Sequence, residues 1–175
     1  MEAEKDMRFV EELLFRRQWY IQLSGPSFPG VRTREAILPN LNDWIERKHG
    51  SVSFHLTQLL TGHGCFNSYL YKIGKADSPI CAHCGREHDT AEHTLQACTT
   101  WSMERNELKK EVGHDLSLGV VVGAMIALEK TWAAAIWFAE TVMLAKEVAE
   151  RARQMAGLVG GQFSQIIIED DSDDD

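Results

Sequence analysis

Long apolar runs are missing from this chain. No stretch approaches the ~18 consecutive apolar residues that cross a bilayer, and the longest candidates, 116–128 and 132–145, are short or broken by Glu and Lys. A membrane-spanning protein is therefore not expected. Alternation of apolar and polar residues is scarce as well, being sustained only over 165–168, so no sheet is expected. A basic excess is absent: 18 Lys and Arg stand against 26 Asp and Glu, for a net charge of −8. Six of those acids fall in 169–175 (EDDSDDD), which leaves 20 in the rest of the chain and a body close to neutral. A protein whose main task is to grip nucleic acid carries a basic surface, so strong autonomous binding is not expected.

Catalytic apparatus is missing too. There is no Gly-rich phosphate loop and no Ser/His/Asp or Cys/His nucleophile arrangement. Adjacent aspartates occur only at Asp170–Asp171 and Asp173–Asp175, with no apolar strand to hold them. Two-metal phosphoryl transfer needs carboxylates fixed on a scaffold, so the chain by itself is not expected to be an enzyme. The N-terminal MEAEKDMRFVEE has no apolar signal segment. The expected location is intracellular, cytoplasmic or nuclear and not secreted, where thiols stay reduced.

Cysteine is scarce, with four in 175 residues, yet three of them fall in one window of eighteen, CAHCGREHDTAEHTLQAC at 81–98. Cys81, Cys84, His93 and Cys98 read C-x2-C-x8-H-x4-C. Two thiolates two residues apart grip one side of a metal ion, and a His and a third Cys close a tetrahedron. Three sulfurs and one imidazole suit Zn2+ and suit calcium or magnesium poorly. A redox pair would be expected beside a βαβ pattern, which is not present. His83 and His88 share the window, and Cys84-x3-His88 is a usable spacing. His93 is preferred because Asp89 with Glu92 resembles a capping box that starts a helix near Thr90. A second site built from His63 and Cys65 with His55 or His49 has no tight ligand pair to anchor it.

Apolar residues make up 44% of the chain and include five Trp and seven Phe, enough to bury a core. Helical spacing runs through 3–23 (Val10, Leu13, Leu14, Ile21), followed by SGPSFPG at 24–30, a loop. Three short helices follow, led by Pro39 and stopped at Gly50, then through 54–60 to Gly62, then through 66–73 to Gly74. Thr100 and Asp115 each offer a cap for a further helix, and a long helix from about 129 to 156 carries Trp132, Ile136, Ala139, Met143 and Ala152 near one face, with Gly157 as its stop. The expected organisation is an N-terminal helix (1–23), a linker (24–37), a helical zinc-containing domain (38–157) and a flexible tail (158–175) whose acidic end is disordered. The fold class is mostly α, a helical array organised around one structural zinc clip.

Three stretches, LPNLNDWIERKHG (38–50), HLTQLLTGHGCFNSYLYKIG (55–74) and the 81–98 window, together resemble the region after the polymerase core in LINE-type (non-LTR) retrotransposon reverse transcriptases. The similarity is to the arthropod clade that inserts into ribosomal DNA and telomeric repeats, and 115–153 looks like the helical tail that follows the motif there. The family's Cys-Cys-His-Cys order falls on Cys81, Cys84, His93 and Cys98. Its aromatic-Ala-Asp-Asp polymerase motif and upstream endonuclease domain have no counterpart in this sequence. The resemblance implies a fragment without its polymerase and endonuclease cores, in contact with RNA or a DNA–RNA junction.

Lys72, Lys75, Arg86, Arg105, Lys109 and Lys110 are the candidate phosphate contacts, with Tyr69, Tyr71 and Trp101 as candidate stacking platforms. Tyr69 and Trp101 also fit helical apolar stripes, which favours the core for both. The expected function is a weak RNA- or nucleic-acid-binding module of zinc-knuckle type. The alternative is a host-recruited protein-interaction domain, engaging another protein through a helical surface, in which zinc only holds the fold.

Overall fold

Every strong helix signal in the sequence has a helix in the computed structural model, which describes the backbone of residues 2–169 and the side chains of residues 7–156. Among the described residues there are eight α-helices and no sheet: α1 (Glu2–Leu23), α2 (Val31–Ile37), α3 (Leu41–Glu46), α4 (Phe54–Thr61), α5 (Asn67–Lys72), α6 (Ser102–Val112), α7 (Leu118–Ala127) and α8 (Glu129–Glu169). The architecture is the mostly helical array expected. No described helix is long and apolar enough to cross a membrane.

Helix α8 is the spine, and α4, α6 and α7 pack against it. Its buried side chains among the described residues are Thr131, Trp132, Ala135, Phe138, Ala139, Val142, Met143, Lys146 and Glu150, the three-and-four spacing of one helical face. Leu56, Leu59 and Leu60 of α4 and Val121, Val122 and Met125 of α7 complete the core with Phe66, Leu95, Trp101 and Leu108. Of the residues expected on the α8 face, Trp132, Ala139 and Met143 are buried, Ile136 is half-buried and Ala152 is exposed. Ala152 stands nine residues past Met143, about half a turn round the axis, and the buried face continues instead through Lys146 and Glu150.

Three expectations need correction. The linker is only 24–30, because Val31–Ile37 is helical. Its missing signal is Arg34, which donates to the carbonyl oxygens of Leu23, Gly25, Phe28 and Pro29 and so folds the Pro/Gly loop onto α2. Helix α8 does not stop at Gly157 but continues through Gly157, Gly160 and Gly161, each of which costs a helix interior about 1 kcal/mol relative to Ala. It runs to Glu169 and takes in the 165–168 alternation. Gly50 is not the terminator of α3, which ends at Glu46. Gly50 has φ +74°, and a Cβ there would enter the indole of Trp132. That indole donates through Nε1 to the Ser51 carbonyl at 3.0 Å. The Arg47 guanidinium lies 4.2 Å from the Trp44 ring and 4.6 Å from the Trp132 ring, pinning the 44–51 segment to the spine. The acidic end of the expected tail, at 170–175, lies outside the described residues.

Candidate metal centre

The centre begins in a two-arm turn. Cys81 N donates to Glu87 O and Asp89 N to Pro79 O, each at 2.8 Å, and Ile80 bridges His88 antiparallel. Gly85 N closes the tip on Cys81 O at 2.8 Å, with Gly85 at φ +68°, a conformation that glycine adopts without steric cost. This small knuckle aims both Cys81 and Cys84 inward.

The second pair comes from the next segment. Thr90, not Asp89, is the cap: its Oγ1 accepts from His93 N at 3.0 Å, and its carbonyl accepts from Thr94 N at 3.0 Å. The segment then widens into a π turn over His93–Ala97, with Cys98 N donating to His93 O at 2.7 Å. Five residues of regular α-helix would leave His93 and Cys98 roughly 140° apart around the axis. The i→i+5 turn brings them to the same side, a use to which π turns are often put.

The four side chains converge. Cys81 Sγ lies 3.9 Å from Cys98 Sγ, and Cys84 Sγ lies 3.3 Å from His93 Nε2. The four ligand atoms all lie within 4.8 Å of one another. Cys81, His93 and Cys98 are buried and Cys84 is half-buried. His93 Nδ1 sits 3.0 Å from Glu87 Oε2, which fixes the tautomer that turns Nε2 to the cluster. Burial and the Asp89 charge push the Cys81 thiol up to about 12, against hydrogen bonds from the turn. At Cys84 burial works the same way, but backbone hydrogen bonds and the one with His93 outweigh it, giving about 7. This set of donors could hold a metal ion.

Around the cluster stand charges that the sequence reading placed elsewhere. Asp89 is buried and accepts from Lys146 Nζ at 2.6 Å through Oδ1 and from Asn67 N at 3.0 Å through Oδ2. Thr94 Oγ1 is a third donor, at 3.4 Å. Lys146 is equally buried and lies 5.4 Å from the Phe66 ring centroid. Its signal was present: 146 is in register with Trp132, Phe138 and Val142 on the apolar face of α8, where a charge demands a counterion. Arg105, expected as a phosphate contact, is buried, with Nη1 donating to Thr94 O at 3.4 Å. It supports the π turn from inside and is withdrawn from the candidate interface. Glu87 carried no spacing signal.

The other candidates are placed as follows. Lys72, Lys75, Arg86 and Lys110 are exposed and Lys109 is half-buried. Lys110 pairs with Glu107 at 2.6 Å. Trp101 is in the core and Tyr69 packs against it, while Tyr71 is exposed. His88 stays outside the cluster, and His83 packs on Trp101 with ring centroids 4.9 Å apart. His49 Nε2 meets Met125 O at 2.9 Å, and His55 lies between Glu140 and Glu147. Among the described residues no second group of potential ligands forms.

No protein-family model and no solved structure matches the chain. It is 28% identical over 128 residues to the Retrovirus-related Pol polyprotein from type-1 retrotransposable element R1 4 of Nasonia vitripennis, covering 70% of this chain and 31% of that protein. It is 28% identical over 91 residues to the R1 counterpart of Bradysia coprophila, covering 51% of this chain and 8% of that protein. With the R1 3 polyprotein of Nasonia vitripennis the identity is 38% over 63 residues, covering 33% of this chain and 16% of that protein. The chain spans less than a third of the length of each of these relatives. It is, over that part of their length, a homologue of the Pol polyproteins of R1 retrotransposable elements, which are of the LINE-type, non-LTR class.

Proposed function

We propose that Cys81, Cys84, His93 and Cys98 hold one structural Zn2+, and that the chain is a zinc-stabilised fragment of a reverse transcriptase that binds RNA weakly. The convergence of the four ligand atoms carries this reading. Tetrahedral zinc with Zn–S near 2.3 Å and Zn–N near 2.0–2.1 Å implies S–S edges of about 3.8 Å and S–N edges of about 3.6 Å. The 3.9 Å and 3.3 Å separations lie close to those edges without rearrangement. Zn2+ with three thiolates carries a net negative charge, which the buried Lys146 and Arg105 offset from the protein side. In this role the ion does no chemistry; it closes the 81–98 segment. Lys72, Lys75, Arg86, Lys109 and Lys110 support phosphate contact, and a near-neutral body keeps that contact weak and salt-sensitive. Without a scaffolded carboxylate dyad, the chain alone neither extends a primer nor cuts nucleic acid.

A second reading, a protein-interaction domain with purely structural zinc, is favoured by α1, which exposes Phe9, Leu14, Phe15, Trp19 and Ile21. Native mass spectrometry tests the metal: one Zn2+ per chain is expected, lost in His93→Ala and kept in His88→Ala. Titration with labelled RNA at low salt, with 169–175 deleted, separates the two readings. Binding that weakens with salt and with Lys109→Ala/Lys110→Ala supports the RNA module, and no binding leaves the interaction domain.

A further inference from the structure

A cleft of about 290 Å³ opens beside the metal centre, between the end of α4, the outer face of α5 and residues 90–92. One wall is aromatic: the His63 and Tyr69 rings stand 4.8 Å apart, tilted by 47°. The floor is the guanidinium of Arg32. Its Nη1 lies 3.2 Å from Glu92 Oε2, whereas Nε and Nη2 are buried with no partner among the described residues. Those two atoms are closed to solvent, so Arg32 offers the cleft its charge and the Nη1 edge that Glu92 holds. At the rim, Lys72 is exposed and makes no ion pair with a described residue. Two cations thus face a single acid, Glu92, whose side chain is 62% exposed.

We propose that this cleft binds one unpaired nucleotide of a single strand, its phosphate on Arg32 and Lys72 and its base against His63 and Tyr69. The Arg32 charge, through the Nη1 edge that Glu92 holds, and the exposed Lys72 ammonium suit a phosphate, and stacking on aromatic rings suits any base. An acidic peptide would use the cations and leave the ring pair without a role. The volume fits a single nucleotide, and a duplex would present no free base face. Glu92 holds Arg32 in the absence of ligand and competes with the phosphate for it, so it acts as a gate. The proposal rests on the RNA-binding reading above and gives that reading a location distant in sequence from Lys109 and Lys110.

The test is fluorescence anisotropy of a labelled oligouridylate with the zinc-loaded chain at low salt. Lys72→Gln, His63→Ala and Glu92→Gln all alter exposed side chains, and zinc content and melting temperature are checked for each. His63→Ala should weaken binding on the order of tenfold. Lys72→Gln should weaken it and reduce the salt slope by about 0.7. Glu92→Gln should tighten it, an effect that no merely structural role predicts. A 5-iodouridine cross-link should map to the peptide carrying His63 or Tyr69. If wild type binds and all three variants bind equally well, the cleft is wrong and RNA binding resides elsewhere. If wild type does not bind, both readings fall. If a poly-glutamate peptide binds and responds to Lys72→Gln and Glu92→Gln while oligouridylate does not, the occupant is acidic protein and the proposal is overturned.

Discussion

Removing either half of the Asp89–Lys146 pair should cost more than any other single surface-to-core charge change in this chain. Both side chains are at most 2% exposed, and Nζ and Oδ1 are 2.6 Å apart. Breaking a buried pair by deleting one partner costs about 3–5 kcal/mol, because the survivor is left charged and dry. The two deletions are not equivalent. In Lys146→Met, Asp89 keeps the Asn67 N–H and the Thr94 hydroxyl, so a cost near the lower end, about 3 kcal/mol, is expected. In Asp89→Ala, the ammonium is stranded and the Asn67 N–H loses its acceptor, so about 5 kcal/mol is expected. The double variant Asp89→Asn/Lys146→Met leaves an amide oxygen for Asn67 and an apolar chain beside Phe66. It should be less damaging than Asp89→Ala, because neither a stranded charge nor an unpaired Asn67 N–H remains. Urea melts followed by tryptophan fluorescence, in fixed excess of metal, read all three directly. Thermal midpoints should fall by about 2–4 °C per kcal/mol for a chain of this size. A Lys146→Met cost under about 1 kcal/mol, or a double variant as damaging as Asp89→Ala, would refute the pairing.

Gly50→Ala should destabilise by about 2 kcal/mol or more, from the positive φ and the Trp132 ring together, and would be read in the same melts. Glu87→Gln should lower metal affinity by about tenfold, the low end for a partner behind a ligating histidine because Glu87 is exposed; competition with a chromophoric chelator measures it. Burial pulls the His55 pKa down, but the hydrogen bonds its ring donates to Glu140 and Glu147 outweigh it and leave it raised above 6.5. Its contribution is therefore complete below pH 6.5 and lost as pH rises through the folded value. His55→Gln should flatten that limb of the stability–pH curve, and an unchanged limb would show that the contact is not formed in solution.

How much was legible depended on whether a residue's task was local. The Cys-x2-Cys pair and the glycines after α4 and α6 are settled within a few residues of chain and stand where the spacing puts them, whereas the caps expected at Asp89, Thr100 and Asp115 each fall one or two residues later, at Thr90, Trp101 and Ser117. Asp89 and Arg105 were misplaced because their partners are remote. Asp89, four residues before a ligand and three before Glu92, has the pattern of a cap, but Lys146 claims its carboxylate from 57 residues away. Arg105 sits among polar neighbours on α6 and looks solvated until the π turn places Thr94 O above it. The π turn itself follows from the demand that His93 and Cys98 face one point, which spacing states but helix propensity does not. Helix α2, just after the Pro/Gly stretch, was missed for the same reason: Arg34 spends its donors on backbone carbonyls that no pattern of side chains reveals.

Among the described helices the spine follows all those that pack on it, and that sets the order in which they can assemble during synthesis. Ser51, Ser53, His55 and Gln58 meet α8 at sequence separations of 81, 87, 85 and 89 residues. Until α8 leaves the ribosome, α4 and α7 can pack only on α2 and α6, and the faces they turn to α8 must wait exposed or be shielded by chaperones. The metal knuckle needs only 81–98 and can close early, shortening the free loop that the late helix must span. Each doubling of such a loop costs only ~0.6 kcal/mol, but contacts so distant slow folding far more than they weaken the fold. Metal supply during translation should therefore govern yield of the folded chain more strongly than its final stability.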